Sequence, residues 1–153
     1  MEHITLEEYK QLQQKGEIRW EDLIYHGKIQ AKQRPRFNGK FAYTPKETVN
    51  YENWVKACYL EKYSNEKPFE KALEVNIIAT FEPPRSISNK KRKELIEEKK
   101  GYTKKKDVDN ISKIILDGLN KLAYKDDAQV VELYIKKEYG ENDNVYVEIE
   151  EVF

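Results

Sequence analysis

The segment DVDNISKIILDGLNKLAY, residues 107 to 124, constrains this chain more than any other stretch. Ile111, Ile114, Ile115, Gly118, Leu119 and Leu122 recur at the 3.6-residue period, so the segment reads as an amphipathic helix ending near Leu122 to Tyr124. Such a helix must bury its stripe. A partner surface lies upstream, where Leu73, Val75, Ile77, Ala79 and Phe81 alternate as one apolar face of a strand that Pro83-Pro84 ends. Two further alternating runs follow: Val131, Leu133 and Ile135, expected to point inward, then Val145, Val147 and Ile149. Gly140 to Asn144 supplies a hairpin turn between them.

The rest of the chain fits around that pair. Thr5 and Glu8 form a capping box for a short helix stopping near Gly16. From Leu23 the chain is extended, and Arg34-Pro35-Arg36-Phe37 must be extended around its proline. Asn38-Gly39 signals a hairpin, with Lys40 to Tyr43 returning as a strand. Thr44 caps a helix with Pro45 in its first turn, running from about Pro45 to Lys62. Its positions Tyr51, Trp54, Val55, Cys58 and Tyr59 recur at helical spacing, and Trp54 is read as core. Ser88 caps a charged helix, NKKRKELIEEKK, that stops before Gly101. The predicted class is α+β, one domain with a small mixed or mainly antiparallel sheet carrying helices on one face. Residues 1–22 are set apart as an accessory helical extension to a domain over residues 23–153.

Composition removes several functions. The chain has 153 residues, enough for one ordinary domain. Its single cysteine, Cys58, excludes an intramolecular disulfide, and with only His3 and His26 the chain offers no zinc cluster of Cys and His ligands and poor material for a Cys–His nucleophile. No apolar run approaches the roughly 20 residues of a membrane span, and the N-terminus lacks a signal-peptide core. The expected location is the cytoplasm. Lys plus Arg and Asp plus Glu balance at 28 each, so a nucleic-acid role rests on local basic patches rather than net charge.

Acids gather around the helix. Asp109 and Lys113 lie nearly opposite Ile111, one turn apart on the open face, and Asp107 stands where the helix begins. Asp126-Asp127 follows the helix. If the next strand runs back beside the helix, Asp127 approaches the Asp107–Asp109 end. Three carboxylates suit magnesium, a hard ion that takes oxygen ligands, with Mn²⁺ as a substitute, and Lys113 suits stabilisation of a charged transition state. Each piece also has a plain structural explanation. Asp107 is a good N-cap and Asp109 complements the helix dipole. Asp109 with Lys113 makes an ordinary i,i+4 pair, Asp126-Asp127 a turn, and Asp117 reads first as structural.

The joint pattern is more specific. Lys106-Asp107-Val108-Asp109-Asn110, Lys113, Leu116-Asp117-Gly118-Leu119-Asn120 and Tyr124-Lys125-Asp126-Asp127-Ala128-Gln129-Val130 together resemble the RusA family of Holliday-junction resolvases. Gly27, Lys32, Arg34-Pro35-Arg36-Phe37, Tyr43-Thr44-Pro45 and the Gly140 turn agree, so the resemblance runs from about Ile24 to the C-terminus. It implies a homodimeric, magnesium-dependent endonuclease that nicks two strands symmetrically at a four-way DNA junction in recombination and repair, often of phage or prophage origin. By position it implies Asp107, Asp109 and Asp127 as the metal-holding acids and Lys113 as the catalytic lysine, with Asp126 ranked below Asp127.

Basic residues cluster at Lys32, Arg34, Arg36 and Lys40, at Lys90 to Lys93, and at Lys99, Lys100 and Lys104 to Lys106. DNA contact is expected for Lys32, Arg34, Arg36, Lys104, Lys105 and Lys106, because phosphate must be drawn to an acidic site. A solvated helix face is the competing account of Lys90 to Lys93. Phe37, Tyr43 and Tyr102 are candidates to stack on unpaired bases, although core packing is the expected place for Phe37 and Tyr43. Two other functions compete: a branched-DNA-binding module of prophage origin without catalysis, and a helix–sheet interaction protein whose acids are caps.

Overall fold

The computed structural model describes residues 5–14 and 18–152. Its elements are α1 (Leu6–Gln14), β1 (Trp20–His26), β2 (Arg36–Phe37), β3 (Ala42–Tyr43), α2 (Lys46–Tyr63), β4 (Leu73–Phe81), α3 (Asn89–Glu97), α4 (Val108–Leu119), a 3₁₀ turn (Asp127–Gln129), β5 (Val130–Tyr139) and β6 (Asn144–Glu151). The α+β class holds: β1-β6-β4-β5 form one mixed sheet, and β2 and β3 a separate hairpin.

β4 lies inside the sheet, antiparallel to β6 on one side and parallel to β5 on the other. Leu73, Val75, Ile77, Ala79 and Phe81 are buried as their alternation predicts. Against this face pack α2 (through Tyr51, Val55 and Tyr59) and α4 (through Ile111, Ile114, Ile115 and Leu119), all in one core cluster. Each fully buried side chain of the α4 stripe contributes about 1.5–3 kcal/mol relative to exposure. Gly118 sits where α2 and α4 cross, because a Cβ there would come 2.8 Å from Val55 Cγ1.

Several expectations are corrected. Residues 140–143 do not close a hairpin, since β4 lies between β5 and β6 and the loop crosses over the end of β4. The Gly140 amide donates to the Phe81 carbonyl at 3.0 Å, and the Asp143 carboxylate accepts from the Glu82 amide at 2.7 Å. Val131 and Leu133 are not buried in the core: they are 60% and 45% exposed, although Leu133 pairs with the core residue Val75, because β5 is the sheet's edge and the helices cover its other strands. Trp54 is not core either. It is 47% exposed on the outer side of α2, whose buried side is Thr48, Tyr51, Val55 and Tyr59.

At the ends of elements the differences are smaller. Pro45, not Thr44, is the N-cap of α2, its carbonyl accepting from the amides of Thr48 and Val49. α4 ends at Leu119, where Asn120 turns extended and Lys121 takes a positive φ of 70°, and Leu122 lies in the turn beyond. β1 begins at Trp20, upstream of the expected Leu23. The Thr5–Glu8 capping box forms, with Thr5 N to Glu8 Oε2 at 2.9 Å and Glu8 N to Thr5 Oγ1 at 3.1 Å. Gly16, the expected stop, lies outside the described residues. α1 departs from the one-face arrangement: its Tyr9 hydroxyl donates to Glu150 Oε2 at 2.6 Å on the sheet face opposite α2 and α4. No helix among the described residues is long and apolar enough to cross a membrane.

Candidate active site at the start of helix α4

The start of α4 is built by three segments held together by lysines. The loop after β1 docks there through the Lys32 amide, which donates to the Asn110 carbonyl at 2.8 Å, and through the Lys106 ammonium, which donates to the Ile29 carbonyl. The far end of β5 arrives from the other side. Tyr102 N bonds to Lys137 O at 3.2 Å, and Lys137 Nζ donates to the carbonyls of Lys104 at 3.0 Å and Lys106 at 2.9 Å. Lys106 itself has φ +85°, a conformation that side-chain-bearing residues seldom adopt, and it directly precedes Asp107. Burial, then the nearby charge of Lys28, pulls the Lys106 ammonium below the ordinary lysine pKa, partly offset by Asp143.

A groove of about 330 Å³ opens beside this junction, lined by Gln30, Lys32, Gln33, Lys105, Asp107 and Asn110 among others. Asp107 stands in N-cap geometry, yet its side chain makes no cap hydrogen bond, so the capping explanation does not use up its carboxylate. Asp109 is exposed, one Oδ accepting from the Asn110 amide at 3.0 Å. Lys113 is exposed as well. No ion pair ties it to Asp109 among the described residues, although the same spacing does pair Lys93 with Glu97 at 3.8 Å.

Asp127 is elsewhere. It opens the 3₁₀ turn beyond the other end of α4, near Phe69 and Lys71, whose carbonyls accept from Gln129 Nε2. The 12 residues of α4 span about 18 Å and separate it from Asp107. The physical reason is the parallel pairing of β4 with β5, which demands a crossover along the length of the sheet. α4 is the last leg of that crossover. The strand after it does run back beside the helix, but it is Lys137 that reaches the α4 start, while Asp127 stays at the strand's beginning. Accordingly, no group of three His, Cys, Asp or Glu residues that could hold a metal occurs among the described residues. Asp126 is engaged in its own capping box with Gln129, leaving Asp127 the freer acid of the two.

The expected DNA contacts divide. Lys32 is committed elsewhere, bridging Glu52 of α2 and Asp117 Oδ2 of α4, the latter at 3.1 Å, and this gives Asp117 its structural role. Lys106 is tied to Ile29. Arg34, Arg36, Lys104 and Lys105 are exposed. On α3, Lys91, Arg92 and Lys93 pair with Glu94, Glu82 and Glu97, in keeping with a solvated face. Tyr102 is consumed by packing, stacked on Phe81 with ring centroids 3.9 Å apart. Phe37 and Tyr43, expected in the core, are exposed on the β2–β3 hairpin. Lys137 went unnoticed in the sequence, where its only signal is a cation in an otherwise apolar alternation.

Fold and site together define an α+β protein that presents the carboxylates of Asp107 and Asp109 beside the exposed cations Lys104, Lys105 and Lys113 at one helix start. Residues 26–150 match the family model described as Endodeoxyribonuclease RusA, and the chain belongs to that family. The chain is also similar to an uncharacterized protein of Bacillus subtilis (strain 168), YqaN, at 52% identity over 73 residues, a match covering 45% of this chain and 50% of that protein.

Proposed function

We propose that this protein is a Mg²⁺-dependent endonuclease that resolves four-way DNA junctions by paired symmetric nicks, acting as a homodimer. The observation that carries the reading is the pairing of a cap-free Asp107 and an exposed Asp109 with the basic groove at the α4 start. Two adjacent carboxylates fit Mg²⁺, which is bound through one or two acids plus water and substrate phosphate, and Mn²⁺ would serve in its place. When bound, the ion supplies a water of lowered pKa and a counter-charge for the leaving oxygen.

The chain's own residues supply the rest. Lys104 and Lys105 draw a phosphodiester toward acids that would otherwise repel it. The helix N-terminus favours the same negative group. Lys113, a turn below Asp109, places an ammonium where charge develops on phosphorus.

The dimer completes the set of acids. β5 is a 10-residue edge strand with exposed Val131, Leu133 and Tyr134, the kind of edge that pairs with another copy unless protected. A two-fold axis across β5 sets the start of one β5 against the end of its partner, bringing the Asp127 of one protomer toward the other's Lys137 and Asp107. The test is purified protein with Mg²⁺ on synthetic four-way junctions and on linear duplex of the same sequence. Paired nicks confined to the junction are expected. Equal cutting of both substrates overturns junction selectivity. Tight salt-sensitive binding with no cutting in Mg²⁺ or Mn²⁺ favours a non-catalytic junction-binding module.

A further inference from the structure

Every residue from Arg34 to Thr44 is exposed. Within this stretch Phe37 is 71%, Phe41 67% and Tyr43 46% exposed, on a hairpin of only two residue pairs. Exposing three aromatic rings is unfavourable in water, and here no core shelters them. The pairing Arg36↔Tyr43 and Phe37↔Ala42 sets Phe37 on one face and Tyr43 with Arg36 on the other, and strand alternation puts Phe41 on the Tyr43 side. The result is a thin blade with aromatic rings on both faces.

Its surroundings are cationic. Arg34, Arg36 and Lys40 lie in the stretch and no acid does. The base of the blade is tied to α2, since the Gln33 amide donates to Thr48 Oγ1 at 3.4 Å, and its tip is held as a turn, Asn38 Oδ1 accepting from the amides of Lys40 and Phe41 at 3.0 and 2.9 Å. Gln33 lines the groove that holds Asp107. Arg36 is three residues further on, so it lies within about 11 Å of Gln33 along the chain.

We infer that the β2–β3 hairpin is a base-stacking wedge: Phe37 on one face, and Phe41 with Tyr43 on the other, take up bases unstacked at a DNA branch point while Arg34, Arg36 and Lys40 hold the flanking phosphates. This rests on the junction reading above and adds how branched DNA is told from linear. Fully paired duplex offers no free base faces, so the aromatic contribution is gained only where bases are already unpaired. Charge decides the occupant, because an aromatic blade ringed by cations and devoid of acids suits nucleic acid better than a basic protein surface.

The test uses the full chain carrying Asp107→Asn, to prevent cutting, and a synthetic four-way junction with 2-aminopurine beside the crossover. Binding is expected to raise 2-aminopurine fluorescence severalfold at the junction and to leave it unchanged in a linear duplex carrying the same base. Phe37→Ala/Phe41→Ala should remove that rise and weaken junction binding by about tenfold or more, with duplex binding altered less than about twofold. Phe37→Tyr/Phe41→Tyr should restore both. A wild-type hairpin that binds the junction without a fluorescence rise overturns the wedge and leaves the junction reading standing. Protein that binds no junction removes both. Equal loss on junction and duplex, or a change in oligomeric state in the alanine variant, also overturns the wedge, the latter by making the hairpin a contact between copies.

Discussion

The Lys32 ammonium lies 3.1 Å from the Asp117 carboxylate and also meets Glu52, so one cation pins the loop after β1 to both α2 and α4. Burial pulls its pKa down, but the hydrogen bonds to Glu52 and Asp117 outweigh that and hold it above the ordinary lysine value. Lys32→Met leaves two carboxylates facing each other. Stability should fall by about 1–3 kcal/mol, several degrees in melting temperature. The salt slope of DNA binding should stay as it is.

Arg34→Ala and Arg36→Ala should behave the other way round. Each should reduce the slope of log K against log salt by about one, measured by fluorescence anisotropy, while the melting temperature moves little. A salt slope unchanged by either removes that arginine from the phosphate contacts.

Mixing tests the shared acids. Asp107→Asn and Asp127→Asn homodimers should both be inactive on junctions. If each site draws its acids from two protomers, subunit exchange between the variants creates heterodimers with one intact site, and nicking returns as single cuts. A mixture that stays inactive after exchange, shown by mass spectrometry to contain heterodimers, places all the acids of a site in one chain.

Gly140 lies where the chain crosses β4, and a Cβ there would come 2.2 Å from Thr80 Cγ2. Gly140→Ala should destabilise by about 1–3 kcal/mol. Removing the opposing methyl with Thr80→Ser should recover most of the loss, a non-additivity measurable by urea denaturation of the four proteins.

The sheet face under α1 predicts a pH dependence. Glu148 is pushed up to about 7, first by its hydrogen bond with Glu150, then by burial and the nearby charges of Glu150 and Asp22, against the opposing hydrogen bond from Tyr146. A carboxyl whose pKa rises on folding binds its proton more tightly in the folded state. Its contribution is therefore fully present below the unfolded value of about 4.5 and is lost as pH rises toward 7. The group is only half-buried, so screening by water reduces the effect to on the order of 1 kcal/mol. Glu148→Gln should flatten this part of the stability profile and raise the melting temperature at pH 8.

Much of the molecule was already legible in local pattern. The α4 stripe, the β4 alternation, the Thr5 and Ser88 caps and the Asn38-Gly39 turn depend on neighbours a few residues apart, and they appear as the spacing predicts. So does the position of Asp107 at a helix start. Pattern misled where one face of an element carries apolar residues that nothing covers. Trp54, Phe37, Tyr43, Val131 and Leu133 look like core in sequence, because hydrophobicity does not reveal whether another layer lies above it.

Sequence by itself determined which residues form the helices and most of the strands, and it placed acids and cations at both ends of α4. The tertiary structure alone decided the strand order β1-β6-β4-β5, and with it nearly everything about the site. A parallel β4–β5 pair forces α4 to run the length of the sheet, so Asp107 and Asp127 end up about a helix length apart, and it is Lys137 that arrives beside Lys106. Strand partners are chosen by burial summed over the whole sheet, a long-range quantity that no local window of residues contains.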